Sequence, residues 1–136
     1  MTTKAVKRAP TTARAAVKIP AFPMPELAKG EAYAGIILKD GAPDYHLVAM
    51  AGEKELDWKD ALDYAKKQGG ALPDRREARL LWVNCAEKFQ KRWYWTSEQH
   101  AAYSVYAWFQ YFSDGGQYYG NKGYRYLARA VRRVPI

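Results

Sequence analysis

The stretch Trp93–Val134, WYWTSEQHAAYSVYAWFQYFSDGGQYYGNKGYRYLARAVRRV, decides the fold. It holds three of the five tryptophans and eight of the eleven tyrosines, so whatever surface or core the aromatic rings build is built here. Apolar and polar residues alternate along Tyr106–Phe112, the period of a strand whose two faces differ. Ser113-Asp114-Gly115-Gly116 then supplies a reversal, because Asp-Gly and Gly-Gly accept the positive φ of a tight turn. Tyr124–Val134 alternates again and is expected to return antiparallel to the first strand. Such a hairpin predicts an inward set, with Trp108, Gln110 and Phe112 facing Leu127, Arg129 and Val131. It also predicts an outward set of Phe109, Tyr111, Tyr118, Tyr119, Tyr124 and Tyr126.

Upstream, the apolar runs Ala32–Leu38 and Tyr45–Met50 flank Lys39–Asp44 and read as a second hairpin. His46 lies in the second run with no Cys, His or acid at ligand spacing, which makes it a structural residue. Asp57 can cap a helix predicted over Asp57–Lys67, in which Trp58, Ala61, Leu62 and Ala65 recur on one face; Gly69-Gly70 ends it. Asp74 and Glu77 stand in the D-x-x-E spacing of a capping box and open a second helix, Asp74–Phe89. Its buried stripe is Ala78, Leu81, Trp82, Cys85 and Phe89, so Cys85 reads as an inert core thiol. Arg75, Arg76 and Arg79 flank that stripe, where a solvated face and a phosphate contact both fit. Trp82, Trp95, Trp108 and Val131 are expected to be buried. Arg129, on the inward face, then needs acceptors, since an unpaired buried charge costs several kcal/mol. Glu77, Asp74 or backbone carbonyls near the second helix start are the expected partners.

Four pieces in this order carry a resemblance: Leu72-Pro73-Asp74-Arg75-Arg76-Glu77, Tyr94-Trp95-Thr96-Ser97, Ala107-Trp108 to Gly115, and Ala128-Arg129-Ala130-Val131-Arg132. Over about residues 45–134 the chain resembles the Lcl-type bacterial and phage branch of the C-type-lectin-like fold. It is similar, more distantly, to the formylglycine-generating-enzyme fold. The resemblance implies an α+β domain: a small twisted, mostly antiparallel sheet, two helices packed on it, and termini that come together. The same string resembles the variable C-terminal segment of diversity-generating-retroelement proteins of this fold, in which exposed positions are diversified. Phe109, Tyr111, Tyr118, Tyr119, Gly120, Asn121, Gly123, Tyr124 and Tyr126 are compatible with such positions. The formylglycine-generating relatives rely on paired cysteines, and this chain has one. Calcium-dependent lectins use a Glu-Pro-Asn or Gln-Pro-Asp tripeptide, which is absent here.

At 136 residues the chain accommodates one folded domain, expected over 31–136, preceded by a basic, proline-rich extended arm over 1–30. The net charge is +8, and Lys4, Lys7, Arg8, Arg14 and Lys18 all precede the first acid, Glu26. A basic arm suits an acidic partner or an assembly contact, or simply keeps a terminus soluble. It carries no apolar core of secretory type, and no stretch reaches the roughly 20 apolar residues of a membrane span. A phage virion or the bacterial cytoplasm is the expected location.

No catalytic constellation is legible: neither histidine has an acid and a nucleophile at motif spacing, and no Cys or His cluster suggests a metal. The expected protein is therefore non-enzymatic and cofactor-free. Its expected ligand-binding residues are Phe109, Tyr111, Tyr118, Tyr119, Asn121, Tyr124 and Tyr126, since tyrosine offers rigid contact area with a polar tip. The partner would be a protein or a glycan, with viral structural proteins or self-association engaging the arm and no membrane. The alternatives are a structural virion accessory protein, decorating capsid or tail, and a nucleic-acid-binding protein. The last would stack bases on rings and set Arg125, Arg129, Arg132 and Arg133 on phosphates. Alternation works against it, sending Arg129 and Arg133 to one face and Arg132 to the other.

Overall fold

The structure, a computed structural model, describes residues 22–136. The arm residues Lys4, Lys7, Arg8, Arg14 and Lys18 lie outside the described residues. Ala32–Lys39 (β1) and Ala42–Ala49 (β2) form the expected antiparallel hairpin. Its reversal is tighter than Lys39–Asp44: only Asp40 and Gly41 turn, with φ of 51° and 80°. Two consecutive positive φ values make a two-residue turn whose twist matches that of the strands.

Lys54–Leu56 (β3) leads into helix Trp58–Lys67 (α1), where the Asp57 carboxylate accepts the Asp60 N–H at 2.9 Å. Helix Arg75–Cys85 (α2) begins with both bonds of the capping box: Glu77 N–H donates to Asp74 at 2.7 Å, and Asp74 N–H to Glu77 at 2.9 Å. The expected continuation to Phe89 tightens into a 3-10 turn at Ala86–Lys88. Five strands follow: Trp93–Gln99 (β4), Tyr106–Tyr111 (β5), Gln117–Asn121 (β6), Tyr126–Ala128 (β7) and Val131–Pro135 (β8). The architecture is α+β, with two helices and two mostly antiparallel sheets among the described residues. One sheet has the order β1-β2-β8 and the other β3-β7-β4-β5-β6.

The pairing of the last third differs from the hairpin read in the sequence. Tyr124–Val134 does not return along Tyr106–Phe112; β6 does, with Trp108 opposite Tyr119 and Gln110 opposite Gln117. The reversal closes at once because Gly115 N–H donates to Tyr111 O at 2.8 Å and Tyr111 N–H to Gly116 O at 2.9 Å. Gly115 has φ +79°, and a Cβ there would meet the Trp82 ring at 2.5 Å, so turn and α2 are locked together by a residue without a side chain. The expected long closing strand is split. β7 sits between β3 and β4, whereas β8 crosses to the other sheet and pairs antiparallel with β2.

Two core clusters result. One joins both sheets to α2 through Leu47, Ala49, Leu81, Tyr94, Phe112, Leu127 and Val131. The other packs Ala61 and Ala65 of α1 against Trp95, Phe109 and Ala128. Trp95 and Val131 are buried as expected, but Trp82 and Trp108 are only half-buried. The inward set of the expected hairpin is corrected accordingly. Gln110, Phe112, Leu127, Arg129 and Val131 are buried, yet they do not face one another as cross-strand pairs.

Arg129 is inward, but its partners are not carboxylates and are not at the start of α2. Its guanidinium donates to Met50 O at 2.8 Å, Lys88 O at 2.7 Å and Gly30 O at 3.0 Å, and lies 4.4 Å over the Phe89 ring. It thus pins three chain segments where the chain crosses between sheets. Glu77, expected to serve Arg129, takes Arg133 instead, at 2.6 and 2.8 Å, together with the Tyr45 hydroxyl at 2.6 Å. Burial would raise the Glu77 carboxyl, but the bonds from Arg133 and Tyr45 outweigh it and hold the group below its usual range. Arg132 pairs with Glu31 at 2.9 Å and donates to Glu26 O at 2.7 Å, tying β8 to the segment before β1.

Candidate functional site

Successive side chains of a strand point to opposite faces, and β5 and β6 apply that rule to the tyrosines. Phe109 pairs with Tyr118 and flanks Tyr111 on one face; Trp108 pairs with Tyr119, and Tyr106 with Asn121, on the other. The seven residues expected to bind ligand therefore do not form a single patch. Phe109, Tyr111, Tyr118 and Tyr126 gather on the first face, while Tyr119 and Asn121 belong to the second. Tyr124 is exposed in the turn after β6, its ring 6.2 Å from Tyr126. Phe109 is not an outward residue: it is only 6% exposed. Tyr126 lies 4.7 Å, Trp93 5.7 Å and Tyr118 6.0 Å from its ring, so it forms the floor on which the others stand.

The first face opens into two adjoining concavities that share Trp93 and Tyr111. One, of about 270 Å³, is lined by Trp93, Phe109, Tyr111, Asp114 and Tyr118. The other, of about 290 Å³, is lined by Lys91, Arg92, Trp93, Tyr111, Arg125 and Tyr126. Together they make an aromatic cleft with a cationic end and an acidic end. At the acidic end the Tyr118 hydroxyl donates to Asp114 at 2.8 Å; that bond and the Gly116 N–H hold the Asp114 carboxyl below its usual range. At the cationic end, Arg92 pairs with Glu55 at 2.6 Å and Arg125 donates to Glu55 O at 2.9 Å, which orients both guanidinium groups.

Trp93, Lys91 and Arg92 were not among the expected site residues, and Arg125 was expected only as a phosphate contact in the nucleic-acid alternative. A signal for Trp93 exists in the sequence: it is two residues from Trp95, so it shares that face, and it begins its strand beside a loop. Nothing local announces the three cations, because their convergence depends on β3, β4 and β7 lying side by side. Of the arginines weighed as phosphate contacts, Arg129, Arg132 and Arg133 are all committed to internal partners.

The remaining chemistry-bearing residues are placed as follows. His46 is buried, with Nδ1 2.7 Å from the Tyr33 hydroxyl and no hydrogen-bond partner for Nε2 among the described residues. Cys85 is buried in the stripe of α2, and burial pushes its thiol up to about 11. Among the described residues no group of three or more His, Cys, Asp or Glu could hold a metal ion, and no helix is long and apolar enough to cross a membrane. The sequence matches no model of a known protein family, and no curated protein matches it.

Proposed function

We propose that the chain is a C-type-lectin-like binding module, non-enzymatic, of the kind found in phages and prophages. It takes a protein or glycan ligand in the cleft between Trp93, Tyr111, Tyr118 and Tyr126. The observation that carries this reading is the cleft itself. Rings from β4, β5, β6 and β7 converge on a floor, Phe109, and leave the space above it open. Flat rings with polar tips suit a sugar face or an interface anchor, and exposed aromatic area of this kind is rarely left without a partner. The fold assignment draws support from β2, which precedes both helices and pairs with β8 at the end of the described chain. That pairing brings the two ends of the domain together. In this reading the basic arm tethers the module to a larger assembly such as a virion.

The test is a binding panel of purified bacterial surface polysaccharides and surface proteins, probed with the full chain and with Trp93→Ala and Tyr111→Ala. A ligand whose affinity drops by about 2 kcal/mol in either variant, with an unchanged melting temperature, supports the cleft as an interface hot spot. Ligands held equally well by both variants, or none bound at all, would overturn it.

A further inference from the structure

The second face of the same hairpin is built differently. α2 covers only the turn end of this face: Gln117 donates to Arg75 O at 2.6 Å and to Gln110 at 2.8 Å, closing the sheet against the helix start. Beyond that point the face emerges from under α2 and carries Trp108, Tyr119, Tyr106 and, from the preceding loop, His100 and Tyr103. The Arg75 guanidinium lies 3.7 Å over the Trp108 ring. Trp108 is 5.2 Å from Tyr119, and His100 is 4.4 Å from Tyr119 and 5.3 Å from Tyr103. The surface is therefore continuous from arginine to tyrosine. Tyr119 remains 47% and Tyr103 58% exposed. On the other side of Arg75, an open groove of about 410 Å³ is lined by Arg75, Arg76, Arg79, Glu98 and Gln117.

We propose that this second face binds single-stranded nucleic acid, with phosphates on Arg75, Arg76 and Arg79 and unpaired bases on Tyr119 and Tyr103. Three guanidinium groups from one end of α2 fit any polyanion. Exposed rings continuous with Arg75 through Trp108 add a surface on which unpaired bases stack, whereas a duplex keeps its bases stacked on one another. One group in the groove opposes it: Glu98, whose carboxylate accepts the Arg75 N–H at 2.8 Å and lies where phosphate would approach. Its sign gives the proposal a distinctive consequence, because neutralising it strengthens binding.

The experiment is fluorescence anisotropy of the full chain with a labelled oligothymidylate of about 20 nucleotides, titrated over salt. Each phosphate contact on a single strand adds about 0.7 to the slope of log affinity against log salt. Replacing Arg76 and Arg79 together with Ala therefore lowers the slope by about 1.4 relative to the unaltered chain, whatever the basic arm contributes. Tyr119→Ala weakens binding by about tenfold, the loss of one stacked base. Glu98→Gln tightens it severalfold while keeping an oxygen for the Arg75 N–H. An unchanged slope in the double arginine variant, or no gain from Glu98→Gln, overturns the proposal. So does competition by polyphosphate or polyglutamate as effective as that of the oligonucleotide, which would reveal charge alone or an acidic protein as the partner. None of these side chains lines the Trp93 cleft, so this result is independent of the one that tests the cleft.

Discussion

Replacing Arg133 with Leu tests how the end of the chain is held, and the expected loss follows from an asymmetry in exposure. The Glu77 side chain is fully buried, whereas Arg133 is 40% exposed. Removing Arg133 strands a carboxylate that water cannot reach; removing the carboxylate leaves a guanidinium that can turn outward. Breaking a buried pair by deleting one partner costs about 3–5 kcal/mol. Glu77 keeps the Tyr45 hydroxyl and the Asp74 N–H, so the lower end applies, about 3 kcal/mol, or roughly 12 °C in melting temperature for a domain of this size. Glu77→Gln should cost less, about 1–2 kcal/mol, as the loss of charge-assisted hydrogen bonds.

The pH dependence separates this account from simple loss of packing. In the unaltered protein Glu77 is held below its ordinary range, so its contribution is present above the unfolded pKa and is lost as pH falls through the folded one. Without Arg133 only the raising effect of burial and the remaining two donors act. The penalty in the variant is then relieved as the carboxyl takes up a proton. The gap between the two proteins should shrink between about pH 7 and about pH 4. Urea unfolding followed by tryptophan fluorescence at both values measures it. Adding Glu77→Gln to Arg133→Leu should recover stability. A loss below about 1 kcal/mol at neutral pH, a gap independent of pH, or a double variant worse than Arg133→Leu alone would refute the reasoning.

Arg129→Met leaves the carbonyls of Gly30, Met50 and Lys88 without their donor and should cost about 3 kcal/mol, with faster amide exchange near Gly30; an unchanged melting temperature would show that the three bonds are incidental. Phe109→Ala should lose about 3–5 kcal/mol, whereas Tyr118→Ala, on the rim of the same cleft, should lose less than about 1, both read by thermal melting; equal losses would contradict the floor-and-rim arrangement. Cys85, with burial pushing its thiol up to about 11, should resist a soluble disulfide reagent at neutral pH until urea unfolds the chain, and rapid labelling of the native protein would place it elsewhere.

The sequence by itself determined what depends on neighbours along the chain. Asp57 and the Asp74/Glu77 box mark helix starts, because a cap is a bond between residues three apart. The apolar runs on either side of Lys39–Asp44 mark a hairpin, and the alternation of Tyr106–Tyr111 gives a strand with two unlike faces. Tertiary structure alone decided which strand each one meets. Alternation fixes parity along a strand but says nothing about its partner, so Tyr124–Val134 reads as the mate of Tyr106–Phe112 until the Gly115 turn, packed on Trp82, returns the chain one strand earlier. That change of partner sets Tyr118 and Tyr119 on opposite faces and turns one expected aromatic patch into a cleft and a separate stacking surface. Arg129 and Arg133 likewise read only as inward charges. Which of them meets Glu77 depends on β8 crossing to the other sheet, a pairing between residues more than fifty apart that no local pattern encodes.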